Sequence, residues 1–339
     1  MQMQRTLGGW AVAFFLLLGL NATARAESDI VDTAYVEQAL ARGAIVLDAR
    51  DAADYKKGHI PGAVNIGAVG KVLRDPNRED LLAVEDAEKI LGAAGIDPIN
   101  NEVVVYSDKG DSYGYYGLQA LRYYGAPKVK VYHGGIDDWR KAGKPLSLTA
   151  RSLPAKSVRL TVKDDVVIWN KDMLERLRAG NAQIVDTRTA AEFGGSDIRA
   201  IRGGHVPGAV LIPFEQNWRD PDAGLKLYKK LTDNRDGMAL KDEAALRALY
   251  GKLDPDKETI VYCQSGVRAS QTATVLRSLG FKDVKVYEPS WLGYAGMLSA
   301  PAENEVFINV GALLGKVGKL EAQVKNLEEE LAKIKVRQP

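Results

Sequence analysis

One cysteine stands among the 339 residues, Cys263, at the head of Cys263-Gln-Ser-Gly-Val-Arg268. The strand-like run Glu258-Thr-Ile-Val-Tyr262 precedes it, and helical spacing of apolar residues follows through Leu279. A loop that wraps from a strand into a helix N-terminus turns successive backbone N–H groups inward, and Gly266 permits the tight curvature. The product is an anion cradle at the carboxyl end of a strand, where open parallel sheets place their ligands. The helix dipole and Arg268 both favour a thiolate, the nucleophilic form of cysteine. A single cysteine cannot close an intrachain disulfide and has no resolving thiol beside it. Any group that Cys263 takes up must therefore leave to an outside acceptor.

The elements that position this loop occur twice. Ala44-Ile-Val-Leu-Asp-Ala-Arg50 matches Gln183-Ile-Val-Asp-Thr-Arg188, and Gly58-His-Ile-Pro-Gly-Ala-Val64 matches Gly204-His-Val-Pro-Gly-Ala-Val210. Glu102-Val-Val-Val-Tyr106 matches Glu258-Thr-Ile-Val-Tyr262, and Val129-Lys-Val-Tyr132 matches Val284-Lys-Val-Tyr287. Four matches in one order make an internal duplication. Within each copy, short Val- and Ile-rich strands alternate with helical stretches, the pattern of a parallel sheet with crossover helices and an α/β fold. The sequence predicts a first domain over 29–145, a linker over 146–160 and a second domain over 161–300. In the first copy the cysteine position holds Ser107, followed by Asp108 and Asp111. No base stands near that serine, and two carboxylates occupy what should be an anion cradle, so the first domain is expected to be inactive and to wall the cleft.

Asp-x-Arg after a strand, Gly-His-x-Pro-Gly-Ala, then strand-Cys-x-x-Gly-x-Arg-helix resembles the rhodanese superfamily, twice over, from Asp29 to Ala300. The resemblance implies two three-layer α/β/α domains with parallel sheets and an active site in the second, near the domain interface. It implies a sulfurtransferase in which Cys263 holds sulfur as a covalent persulfide, with Arg268 beside it in the catalytic set. Gln264, Ser265, Gly266 and Val267 would bind substrate through the loop. Arg188 is the expected second anion contact, and Asp186 would orient it or the loop. His59 and His205 hold the same place in both copies although only one keeps a cysteine, which favours a structural role. No metal or organic cofactor is needed for this chemistry. The partners implied are a small sulfur donor such as thiosulfate and a thiol, cyanide or protein acceptor.

The six residues from Cys263 through Arg268 resemble the sulfurtransferases, whereas the related cell-cycle phosphatases carry one more. The lining differs from the family's Cys-Arg-Lys-Gly-Val-Thr and Cys-Gly-Ser-Gly-Val-Thr loops and is similar to that of small bacterial rhodaneses, which leaves the donor open. A second reading makes the protein a persulfide or selenium carrier, loaded by a partner protein, with little small-molecule turnover.

Composition narrows the class further. With 46 basic and 44 acidic residues the formal charge is +2, and no long single-sign run precedes the last 40 residues, so nothing points to nucleic acid. Arg5, an apolar run from Trp10 to Leu20, and Ala24-Arg25-Ala26 read in order as a signal peptide over 1–26, cleaved after Ala26, which predicts a periplasmic protein. Val306, Val310, Leu313, Val317, Leu320, Val324, Leu327, Leu331 and Ile334 alternate spacings of four and three. Those are heptad seam positions, predicting a coiled-coil helix over 304–337 and a homo-oligomer. Valine at a with leucine at d leans towards two parallel strands, with Lys316 facing Glu321 and Glu330 facing Lys335 of a neighbour, and leaves dimer and trimer both open.

Overall fold

The computed structural model describes residues 28–337, so the signal segment expected over 1–26 lies outside the described residues. The first domain runs β1 (Ile30–Val31), α1 (Thr33–Ala41), β2 (Ile45–Asp48), α2 (Ala52–Lys57), β3 (Val64–Asn65), α3 (Val69–Val72), α4 (Val84–Ala93), β4 (Val103–Tyr106), α5 (Tyr113–Tyr123), β5 (Val129–Tyr132) and α6 (Gly135–Lys141). The second runs β6 (Val167–Ile168), α7 (Asn170–Ala179), β7 (Gln183–Asp186), α8 (Ala190–Phe193), β8 (Arg202–His205), β9 (Val210–Leu211), α9 (Ala223–Tyr228), α10 (Glu243–Leu249), β10 (Thr259–Tyr262), α11 (Val267–Ser278), β11 (Val284–Tyr287) and α12 (Ser290–Gly296). Strand β12 (Glu303–Phe307) and helix α13 (Val310–Arg337) follow.

Both five-stranded sheets are parallel and have the same topology, β1-β5-β4-β2-β3 and β6-β11-β10-β7-β9. Their central strands are apolar throughout because each face is covered. In β4, Val103 and Val105 pack under α4 and α5 while Val104 and Tyr106 pack towards α1 and α6. In the second domain Val261 and Cys263 join the α10 and α11 side, and Ile260 and Tyr262 the α7 and α12 side. This period-two division of one strand between two cores is what makes three layers. Residue Thr259 pairs with Gln183 and Tyr262 with Asp186, so the chain after Tyr262 emerges at the carboxyl edge of the sheet, beside the end of β7.

Two boundaries shift from those expected. The connection between domains is longer than 146–160: the chain remains irregular until Val167, and Leu160, Val162 and Val166 still pack on the first domain's core. Thr161 and Lys163 donate to the carbonyls of Tyr124 and Tyr123, which satisfies a strap that has no sheet of its own. At the other end, residues 304–309 do not begin the helix. Strand β12 pairs antiparallel with β8, and α13 starts only after Asn309, whose side chain caps it by accepting from the Ala312 N–H at 2.9 Å. Val306 satisfies both a heptad spacing and a strand, and the open edge of β8 decides for the strand. Among the described residues no helix is long and apolar enough to cross a membrane.

Candidate active site

Cys263 is 1% exposed and begins the loop that leads into α11. Every carbonyl from 263 to 266 is tied back: Trp291 N–H bonds Cys263 O at 3.0 Å, Leu292 N–H bonds Gln264 O at 2.9 Å, and Ser270 N–H bonds Gly266 O at 3.0 Å. The Ser265 carbonyl accepts from Arg74 Nη2 at 2.8 Å. From beneath, Ser290 Oγ accepts the N–H groups of Cys263 (3.3 Å) and Gly266 (2.9 Å) and donates to Tyr287 O. Ser290 itself has φ +50, a left-handed backbone paid for at the residue that pins the loop. Gly266 has φ +81, and a Cβ there would lie 3.2 Å from the Glu288 carbonyl oxygen. With the carbonyls turned outward, no acceptor among the described residues takes the N–H groups of Gln264 and Ser265. Those of Val267 and Arg268 open a helix, where intrahelical acceptors do not exist. The geometry is that of an anion cradle.

The charges around it are arranged differently from the expectation. Arg268 is not a free cation; it forms a two-pronged pair with Glu192 at 2.8 and 2.7 Å. Burial opposes ionisation of Glu192, but Arg268 outweighs it and holds the carboxyl down at about 2. Glu192 is fixed by a capping box at the start of α8, exchanging bonds with Thr189. A second cation joins them, Arg199 Nη1 at 3.3 Å from Glu192, half-exposed at the rim. The Arg199 carbonyl also accepts from Gln264 Nε2 at 2.8 Å. His59 follows Tyr55 by four positions, but His205 follows Phe193 by twelve, and Arg199 sits in that insertion.

Asp186 and Arg188 are placed elsewhere. Arg188 is 1% exposed; its Nε and Nη2 bond the Asp186 carboxylate, Nη2 also bonds Gly204 O at 2.7 Å, and the guanidinium stacks on Trp291 and Tyr262. Asp48 and Arg50 make the same buckle with Gly58 O in the first domain. The pair ties a strand end to the Gly-His turn through Nε and Nη2, while Nη1 makes none of these bonds; the matching Nη1 of Arg50 lies 3.7 Å from Asp108 in the serine loop. Arg188 is thus first a structural tie, with Nη1 left over for the expected anion contact; Asp186 orients Arg188 but not the loop. His59 and His205 likewise stack on Tyr55 and Phe193 and bond their carbonyls, in both domains alike.

In the first domain Ser107 Oγ donates to Asp111 at 2.6 Å. Lys109 is buried and paired with Asp138 and Asp236, and Asp108 lies 3.7 Å from Arg50 and 3.4 Å from Arg235. Met238 of the second domain packs against Gly110. The serine loop is thus filled by carboxylates with their own counter-ions and covered by the other domain.

The rhodanese-like domain model matches residues 32–142 and again 170–297. The chain belongs to the rhodanese family of sulfurtransferases. Thiosulfate sulfurtransferase of Corynebacterium glutamicum is 30% identical over 274 residues, covering 76% of this chain and 84% of that protein. The sulfur carrier protein TtuD of Thermus thermophilus is 30% identical over 262 residues, 73% of this chain and 86% of that one. The solved structure of SseA from Escherichia coli, a 3-mercaptopyruvate enzyme, superposes with a TM-score of 0.66 at 25% identity over 78% of this chain and 99% of that chain. As a rhodanese-type enzyme the protein moves sulfur between a donor and an acceptor. Sequence reasoning found the Cys263 loop but missed Glu192, Arg199, Ser290 and Arg74. Thr189-Ala-Ala-Glu192 is a legible capping box; nothing in the sequence singles out Arg74.

Proposed function

We propose that Cys263 takes sulfane sulfur from a small anionic donor such as thiosulfate and passes it to a thiophilic acceptor by double displacement. The observation that carries this reading is the cradle of outward-tied carbonyls and free N–H groups around a single buried sulfur. The Cys263 thiolate attacks the outer sulfur of the donor. A new S–S bond forms as the donor's S–S bond breaks, and its electron pair leaves with sulfite. The Cys263 persulfide anion then rests against the N–H groups of the loop and the first turn of α11. A thiolate or cyanide attacks the outer sulfur, the persulfide bond breaks, and its electron pair returns to Cys263. Arg199 and Arg268 share the Glu192 carboxylate at the rim, with Glu215 close to Arg268, so it is the N–H groups of the loop that suit an anionic donor.

The test is mass spectrometry of the intact protein after incubation with thiosulfate, followed by turnover with cyanide. Addition of one sulfur atom at Cys263 that cyanide removes catalytically is expected, and Cys263→Ser should abolish both. Stable loading without turnover would favour the carrier reading, which the single thiol and the resemblance to a sulfur carrier protein support. We also propose export, on the order of Arg5, the apolar run and Ala24-Arg25-Ala26, and self-association through the seam of α13.

A further inference from the structure

The four carbonyls of the Cys263 loop are not all held by the domain that carries them. Trp291, Leu292 and Ser270 secure three; the fourth, Ser265 O, is held across the interface by Arg74, 191 residues away in sequence. The Ser265–Gly266 peptide is therefore fixed at both ends, its oxygen by Arg74 and its N–H by Ser290 Oγ. Gly266, with φ +81, is the residue at which this peptide could most easily turn over. If it turned, the Gly266 N–H would leave Ser290 Oγ, which also takes the Cys263 N–H, and the loop shape that leaves the Gln264 and Ser265 N–H groups without acceptors would change.

Arg74 is itself built in. It is buried, stacks over the Tyr116 ring at 5.4 Å, and bonds the Glu79 carbonyl, which a left-handed backbone at Glu79 (φ +57) turns towards it. The arrangement has a counterpart. Arg235, from the corresponding connection of the second domain, reaches the carbonyl of Lys109 at 3.4 Å. Lys109 stands two residues after Ser107, as Ser265 stands two residues after Cys263. Each domain thus lends one arginine to the same carbonyl of the other's loop, but only one of those loops carries sulfur.

We infer that Arg74 is a positioning residue for sulfur transfer: the first domain completes the active site by holding the Ser265–Gly266 peptide with its N–H on Ser290 Oγ, the orientation that shapes the Cys263 loop. The inference rests on the Cys263 persulfide reading, and the duplicated contact supplies its own control. Arg74→Ala, Arg74→Lys and Arg235→Ala are compared by kcat and KM for thiosulfate with cyanide, by the rate of Cys263 alkylation with iodoacetamide, and by Tm. Arg74→Ala is expected to lower kcat about ten- to a hundredfold with KM little changed, the scale of a small misplacement of reacting groups. It should also slow alkylation, and Arg74→Lys, which keeps one donor, should recover part of both. Arg235→Ala should lower Tm comparably while kcat and the alkylation rate stay at the wild-type level. Unchanged kcat and alkylation in a folded Arg74→Ala, or an equal kcat loss in Arg235→Ala, would overturn the inference. Persulfide formation on the wild-type protein, measured separately, tells failure of this inference from failure of the sulfur-transfer reading.

Discussion

At the scale of single residues, the site depends on a carboxylate that the linear motif does not contain. Glu192 keeps Arg268 at the edge of the cradle, and the two are 76 residues apart in the chain. With its carboxyl held at about 2 against an ordinary 4.5, Glu192 contributes stability that is complete above about pH 4.5 and is lost as pH falls through 2. The depression corresponds to about 3 kcal/mol. Glu192→Gln should therefore be less stable than wild type by about that amount at neutral pH, with the gap roughly halved at pH 3. Urea midpoints at the two pH values check this; a gap that does not shrink on acidification would show that packing, not charge, is what the substitution removes. Cys263 to Arg268 could be found in the sequence because the cradle is contiguous and its glycine, helix start and lone cysteine are adjacent. Glu192, Arg199 and Arg74 could not be found by adjacency, since distant turns bring them in.

Among the elements, the duplicated strands were legible from apolar periodicity because both faces of each sheet are buried, which leaves little freedom in what those positions can hold. The tail was misplaced at 304–309 because Val306 fits two periods and only the edge of β8 chooses between them. Nor does the sequence reveal what the end of β11 faces. Glu288 there is buried between α5 and the Cys263 loop; Tyr116 donates to it at 3.2 Å, Arg74 and Asp80 lie nearby, and Oε2 has no partner. Burial pushes its carboxyl up to about 7 despite the pull of Arg74. A raised carboxyl favours folding fully below its unfolded value of 4.5, and that contribution disappears as pH rises through 7. Wild type should lose about 3 kcal/mol between pH 4 and 8 from this group alone, and Glu288→Gln, neutral throughout, should lose correspondingly less. Parallel urea titrations at pH 5 and 8 measure the difference; identical pH dependence of the two proteins would show that Glu288 ionises without cost.

For the whole molecule, the open question is what covers α13. Its seam residues Val310, Leu313, Val317, Leu320, Val324, Leu327 and Leu331 are between 41 and 64% exposed, so the helix does not fold back on its own domains to bury them. A second copy would bury the seam, and the pairing of Lys316 with Glu321 favours parallel alignment. Strand β12 is bound to β8, with Glu303 also bonding His205 and the Gly208 N–H, so the stalk leaves from a fixed point on the second domain. A chain ending at Asn309 should therefore keep both domains folded and Cys263 active in sulfur transfer but sediment as a monomer, where the full chain is expected to sediment as an oligomer. Gly315 and Gly318 lie outside the seam, and an added Cβ at either meets nothing within the chain. Replacing both with alanine should strengthen the helix by about 1 kcal/mol each and tighten association. Sedimentation equilibrium of the three proteins decides it: a full-length chain that stays monomeric at concentrations where the double alanine variant is also monomeric would rule out self-pairing.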